Sequence, residues 1–380
     1  MKILAAIDSF KGSMTSEQAN LCVKDALPNH SVTCFPIADG GEGTVDAFVS
    51  VLKGEYITQT IKGVDGKAFN GKWGWIEQEK LAIIEVAQGA GIIHADLKNL
   101  DPRRHTSYGV GQQLIQALDY GAETIILGLG GSATVDGGMG LLQALGLKFF
   151  DSHQQELPIL PVELNRVASM DPSGLDRRMK QVDLILASDV NNPLIGPKGA
   201  SYVFGPQKGL ATKDLPTYDA SMKNYADLLF EATKKDYRHL EGAGAAGGIG
   251  FALSTFFGAK YRNGLFLLAE KGNLDALIKE ADLIITGEGR FDDQSLSGKV
   301  PIGISRLAKK YQVPVLLFAG QIDSQQVALP EENLLALIPI VDRPMELERA
   351  MELSQQLLTK AVERTINLIE FAQKNKLVCL

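Results

Sequence analysis

The residues best equipped for chemistry lie in the stretch Asp282–Lys299, DLIITGEGRFDDQSLSGK. The apolar run Leu283–Thr286 ends in Gly287-Glu288-Gly289 and then crowds Arg290, Asp292, Asp293 and Lys299 into a short loop. A short apolar run is how a buried parallel strand reads. Ligands in open α/β sheets bind just past the carboxyl ends of such strands. Packing alone does not ask for glycines and charges at that point. The layout recurs: Ile3–Asp8 runs into Ser9-Phe10-Lys11-Gly12-Ser13, and Thr124–Leu129 into Gly130-Gly131-Ser132-Ala133-Thr134. Glycines let backbone N–H groups converge on anionic oxygens, and a helix N-terminus adds favourable partial charge. The pattern is that of an enzyme that binds a polyanion.

Each motif also has a plainer reading. Gly130–Thr134 is compatible with a tight strand-to-helix turn, but its continuation into Asp136-Gly137-Gly138 favours a ligand. Asp39-Gly40-Gly41-Glu42-Gly43 is either a turn with helix-capping acids or a Mg²⁺ or hydroxyl contact beside a phosphate. Asp8, Ser9 and Lys11, followed by Gly12-Ser13, are well placed to meet phosphate or carboxylate charge. Asp189 with Asn191 and Asn192 offers a general base and amide donors, or caps a loop before Pro193. Lys208 in GPQKG is a turn signal with one cation. His105 beside Arg103 and Arg104 reads as surface, and no Ser-His-Asp arrangement can be built from spacing.

Two nucleotide signatures fail. No GxxxxGK[ST] occurs, so this is not a P-loop sequence. Gly242–Gly247 matches GxGxxG but follows polar YRHLE instead of an apolar strand, so the dinucleotide context is wrong. The small residues there serve close helix packing, or let a helix N-terminus approach a ligand.

The elements that must hold these loops alternate strand and helix at both ends of the chain. Lys2–Asp8 reads as a strand, and Thr15-Ser16-Glu17-Gln18 as a capping box opening a helix that runs to Pro28. Val32–Ile37 is the next strand, followed by the 38–44 loop and a helix through Leu52. Between Glu55 and Val86 the alternation is that of antiparallel strands, with a hairpin at Val64–Lys67. A helix at 108–120, strand 124–129, helix 136–145 and strand 182–190 follow. From Asp282 strand and helix alternate again, ending in one long helix from Met345 to about Lys374 with Leu347, Met351, Leu353, Leu357, Leu358, Ala361 and Ile369 on one face. The expectation is a first domain from residues 1–65 and 275–380, with a second, 66–274, inserted in it.

Bulk properties narrow the class. A chain of 380 residues fills two domains, and 45% hydrophobic with 22% charged residues is ordinary globular composition. Net charge is −7 with no basic stripe, which argues against nucleic acid or anionic membrane as partners. Cys22, Cys34 and Cys379 lie far apart with no zinc spacing, and the start MKILAAIDSF is no signal peptide. A reduced, cytoplasmic setting is expected. The final amphipathic helix covers its own domain or a neighbour, so oligomeric state stays open.

Taken together, seven ordered segments resemble the bacterial glycerate kinase family over essentially the full length: DSFKGS (8–13), ADGGEGT (38–44), GGSATVDGG (130–138), SDVNNPLIGPKGAS (188–201), FGPQKG (204–209), GAGAAGGIG (242–250) and TGEGRFDDQSLSGKVPIG (286–303). Ile7 and Val135 depart from it, standing where Pro and a polar residue are common. The resemblance implies ATP-dependent phosphorylation of D-glycerate with Mg²⁺, of the 2-kinase type. It also implies a flavodoxin-like parallel-sheet domain interrupted by a second α/β domain that resembles restriction-enzyme folds.

Phosphoryl transfer needs alignment and charge neutralisation more than covalent help. With the site in an interdomain cleft, Gly130, Gly131 and Ser132, joined by Gly247 and Gly248, are expected to cradle phosphates. Asp8, Ser9, Gly41, Asn191, Gly287 and Gly289 complete the substrate and phosphate contacts. Glu42, Asp189 or Asp292 would hold Mg²⁺, while Lys11, Arg290 or Lys299 would offset negative charge. Asp189 is the first choice for the base that receives the substrate proton, and Asp39 the second. Three alternatives compete: a kinase acting on the 3-hydroxyl or on another small hydroxy acid, a NAD-dependent hydroxy-acid dehydrogenase, and a non-catalytic receptor for a small acid. The last is commonly exported, and the chain shows no export signal.

Overall fold

In the computed structural model the described residues are 1–296, 300–323 and 332–375. Their strands are β1 (Lys2–Ile7), β2 (Ser31–Cys34), β3 (Glu55–Lys62), β4 (Ala68–Ile76), β5 (Leu81–Glu85), β6 (Thr124–Gly128), β7 (Lys148–Phe150), β8 (Ser169–Asp171), β9 (Asp183–Ala187), β10 (Lys260–Arg262), β11 (Leu283–Phe291), β12 (Val315–Ile322) and β13 (Leu334–Pro339). The chain divides into two compact units, Met1–Asp39 with Leu265–Leu380, and Gly40–Gly264. These junctions differ from the expected 65 and 275. The helix Thr44–Leu52 packs on β4 and β5, and β3 pairs along its length with β4. Residues 40–62 are thereby tied to the second unit.

The first unit carries a five-stranded sheet in the order β13-β12-β11-β1-β2, every neighbouring pair parallel. Numbered within the unit this is 2-1-3-4-5, the flavodoxin-like order, whose ligand crevice opens between its first and third strands. Here those strands are β1 and β11. The run KILAAI of β1 is buried after its first residue, as a strand covered on both faces must be. The helix Ser16–Ala26 starts with the anticipated capping box: Thr15 Oγ1 accepts the Gln18 N–H at 3.2 Å, and the Gln18 side chain accepts the Thr15 N–H at 2.9 Å.

The expected single final helix is instead two, Leu347–Glu352 and Ser354–Lys374, because Leu353 leaves helical dihedrals (φ −93°, ψ 3°). The second packs on Ser16–Ala26 through Leu357, Leu358, Ala361, Val362 and Ile366. Leu347 is 71% exposed and does not join that stripe. The GEGR segment, expected as loop, continues β11 to Phe291, since β12 extends far enough to pair Gly287 with Phe318 and Arg290 with Gln321.

The second unit holds a six-stranded mixed sheet, β10-β9-β6-β5-β4-β3. Its β3–β4–β5 part is antiparallel and its β5–β6–β9–β10 part parallel. Trp73, Leu127, Val135, Leu186 and Phe251 belong to its core, and β7 and β8 form a separate two-stranded antiparallel sheet. Among the described residues no helix is long and apolar enough to cross a membrane.

Candidate functional site

In the second unit the parallel strands end in register. Glu85, Gly128, Ala187 and Arg262 lie side by side across β5, β6, β9 and β10. The glycine loops leave from that line. Gly40 and Gly130 permit close backbone approach: a Cβ on Gly40 would sit 2.5 Å from the Ala187 carbonyl oxygen, and one on Gly130 2.4 Å from Gly41 Cα. The Gly130 N–H donates to the Gly40 carbonyl at 2.9 Å and is therefore engaged. The Gly131 carbonyl accepts from Ile92 N–H and the Ala133 N–H donates to Ala90, both at 2.8 Å.

Two consecutive donors remain. Among the described residues, the N–H groups of Gly131 and Ser132 meet no protein acceptor. Gly131 is exposed and left-handed (φ 73°), whereas Ser132 is buried. Successive N–H groups around a left-handed residue form a concavity that suits an anionic oxygen. Behind it lies Lys208, only 3% exposed, whose Nζ donates to Ser132 Oγ at 2.7 Å and to the Thr134 carbonyl at 2.9 Å. Burial pushes this ammonium down to about 7, partly opposed by Asp136.

Asp136 is a supporting residue of the same loop. Its carboxylate, fully buried, accepts from Ser107 N–H and Oγ and from the N–H groups of Gly138 and Gly140. Gly247 and Gly248, expected to cradle phosphate, are buried against that loop. A Cβ on Gly247 would lie 1.9 Å from the Thr134 carbonyl, and the Gly247 N–H donates to Gly244. With Ala246, Gly247 and Gly248 all left-handed, the chain turns tightly into the helix Ile249–Phe257. No strand precedes this GxGxxG match.

Asp189 and Asn191 are exposed on the loop that leaves β9. Glu42 is exposed and Gly41 half-buried on the 40–43 loop. Glu85 went unnoticed in the sequence. It is 2% exposed, accepts the Val45 N–H at 2.5 Å at the start of the helix Thr44–Leu52, and is pushed up to about 8, chiefly by burial. The signal was present: LAIIE is one more apolar run ending in a charge. Lys208 gave no comparable signal, since a lone lysine in a turn is normally solvated. His105, read as surface, is 4% exposed with Nδ1 3.3 Å from the Ala133 carbonyl oxygen.

In the first unit, Asp8 leaves β1 with its N–H on the Gly287 carbonyl (3.0 Å) and its carboxylate accepting the Ser9 N–H (2.7 Å). Burial, then the neighbouring Asp39 carboxylate, push Asp8 up to about 8, against the pull of the Ser9 N–H and Lys11. Its raised proton affinity lets this carboxyl, when protonated, donate to an anion. Lys11 is exposed on the tight turn closed by Phe10 and Met14.

Across β11, Glu288 is 7% exposed and Arg290 62% exposed, its Nη2 2.6 Å from Asp323 Oδ2 and its Nε 3.8 Å from Asp292 Oδ2. Asp292 also exchanges bonds with Ser295, accepting its N–H and donating to its Oγ, both at 3.2 Å. Gly287 and Gly289 serve packing: a Cβ on Gly287 would meet the Phe318 carbonyl at 2.3 Å, and one on Gly289 would lie 3.3 Å from Phe10 Cα. Lys299 lies outside the described residues.

A flavodoxin-like sheet joined in the chain to a mixed sheet, each ending in glycine loops with cations and carboxylates, defines an α/β enzyme that handles anionic groups. The glycerate kinase family profile matches residues 3–370. The chain belongs to that family and is a kinase, a phosphotransferase. It is 40% identical over 356 residues to the glycerate kinase of Bacillus subtilis, covering 93% of each chain. To the glycerate 2-kinase of Escherichia coli it is 39% identical over 345 residues, covering 90% of this chain and 91% of the other. A crystal structure that carries the provisional name glycerate kinase 2, from Salmonella typhimurium, matches with a TM-score of 0.84 at 36% identity, covering 98% of this chain and 99% of that one.

Proposed function

We propose that this chain transfers the γ-phosphoryl group of ATP to the 2-hydroxyl of D-glycerate in the cytoplasm, giving 2-phosphoglycerate. The observation that carries the reading is the pair of N–H groups on Gly131 and Ser132, just past the end of β6, that meet no protein acceptor among the described residues, with a buried lysine bonded to Ser132. That arrangement suits phosphate oxygens and suits no neutral ligand as well. The name of the Escherichia coli relative supports the 2-hydroxyl.

In this reading Asp189 receives the hydroxyl proton, with Asp39 the second choice, and Lys11, Arg290 and Lys299 offset charge on the transferring group or the glycerate carboxylate. Asp8, whose burial raises its proton affinity, donates to an anionic oxygen when protonated. Mg²⁺ usually keeps waters and takes one or two carboxylates plus phosphate oxygens. Among the described residues no group of three or more acidic, His or Cys side chains forms a cage. Glu42, Asp189 or Asp292 is proposed to hold it; bound there, the ion would screen phosphate charge.

A coupled ADP-release assay across D-glycerate, glycolate, lactate and tartronate tests the reaction, and phosphorus NMR of the product tests the hydroxyl. Turnover with D-glycerate and a 2-phosphate resonance are expected. Release of ADP only with another acid, or a 3-phosphate product, would overturn the assignment. A NAD-dependent dehydrogenase has no support from the site.

A further inference from the structure

The buried ammonium of Lys208 has an unusual environment. Ser132 Oγ and the Thr134 carbonyl, both neutral, are its hydrogen-bond acceptors. The Phe204 ring lies 5.8 Å away. Among the described residues no carboxylate pairs with it, Asp136 acting only through its field. A buried cation without a partner is costly, so a chain that keeps one gains something from it elsewhere. Lys208 sits on the short turn Pro206–Lys208, and Gly209 beside it is left-handed, with only 2.0 Å between the place of a Cβ and the Leu100 carbonyl oxygen. The turn is thereby fixed, and the lysine with it.

The exposed tip of the loop is Gly131, while Ser132, which Lys208 touches, is buried. We propose that Lys208 is a positioning residue whose buried charge is completed only when a phosphoryl group docks on the Gly131 and Ser132 N–H groups. It holds Ser132 and Thr134 so that these donors point outward, and it supplies positive potential from behind the loop without contacting the ligand. Its lowered proton affinity fits the same picture, since an anion on the far side of Ser132 favours the charged form. This inference rests on the reading that the loop takes phosphates of ATP.

The test is titration of ATP, ADP and adenosine into wild-type enzyme and Lys208→Met, with melting curves of both. The variant should lose about tenfold or more in affinity for ATP and ADP, keep its affinity for adenosine, and melt no lower than wild type because an unpaired buried charge has gone. Unchanged ATP affinity would overturn the proposal. So would parallel loss of all three ligands with a depressed melting temperature, which marks a merely structural lysine. Should Lys208→Met not fold, Ser132→Ala takes its place: it keeps the cation but cuts the contact, and the same nucleotide-selective loss is required. Wild-type enzyme that fails to bind ATP would sink the kinase reading itself, an outcome distinct from a Lys208 variant that binds normally.

Discussion

The carboxylate of Glu85, at the end of β5, accepts the backbone N–H of Val45 at 2.5 Å inside the second unit. It ties the sheet edge to the helix that follows the 40–43 glycine loop. Glu85→Ala would leave a buried N–H without an acceptor, at a cost of about 1–3 kcal/mol. Glu85→Gln keeps an acceptor and imitates the neutral carboxyl. A urea midpoint lowered by the alanine and nearly unchanged by the glutamine is the expected result.

The free enzyme should lose stability as pH rises through the neutral range. Asp8 and Glu85 titrate near 8 when folded, against ordinary values of 3.8 and 4.5. The native state therefore holds protons that the unfolded chain releases, and stability falls with rising pH between those limits. Lys208, lowered from 10.5 to about 7, acts oppositely and restores stability above 7. Melting temperature should drop between pH 5 and 7, where the two carboxyls outweigh His94 and His105, whose burial lowers their proton affinity and acts in the opposite sense. Glu85→Gln should show a shallower drop.

Asp189→Asn removes the proposed base while keeping its size and hydrogen-bonding capacity. Turnover should fall by about a hundredfold or more with ATP affinity preserved. Near-normal turnover would eliminate Asp189 and pass the role to Asp39, for which Asp39→Asn is the matching measurement.

Arg290 is 62% exposed and paired with Asp323. An exposed pair of this kind contributes little to folding, about 0–1 kcal/mol. Arg290→Ala should therefore leave the melting temperature almost unchanged and still raise KM for glycerate or lower kcat. A large loss of stability with normal kinetics would make the arginine structural.

Gly131 has φ 73°, and a methyl group there would lie 3.2 Å from Ala87 Cβ. Gly131→Ala should cost about 1–2 kcal/mol of backbone strain and weaken ATP binding more than glycerate binding, measured by calorimetry with each ligand.

The sequence made the strand ends legible because an apolar run stopped by glycine and charge has a local cause. The Thr15–Gln18 capping box was legible for the same reason. Partners distant in the chain were not. β11 runs through GEGR because β12, some thirty residues on, supplies its ladder; Glu85 and Lys208 acquire meaning only beside Val45 and Ser132. The junction near residue 40 depended on β3 pairing with β4, which hydrophobic patterning indicated as a hairpin without assigning it to a unit. Gly247, Gly248, Gly287 and Gly289 each lie where neighbouring backbone leaves no room for a Cβ or little to spare, a demand for glycine that only the folded chain displays.

The most direct test of the central claim is a crystal structure with a non-hydrolysable ATP analogue and D-glycerate. Phosphate oxygens should stand about 3 Å from the Gly131 and Ser132 nitrogens, with Lys208 still on Ser132 Oγ. A triphosphate bound elsewhere, with those two N–H groups facing only solvent, would contradict the account.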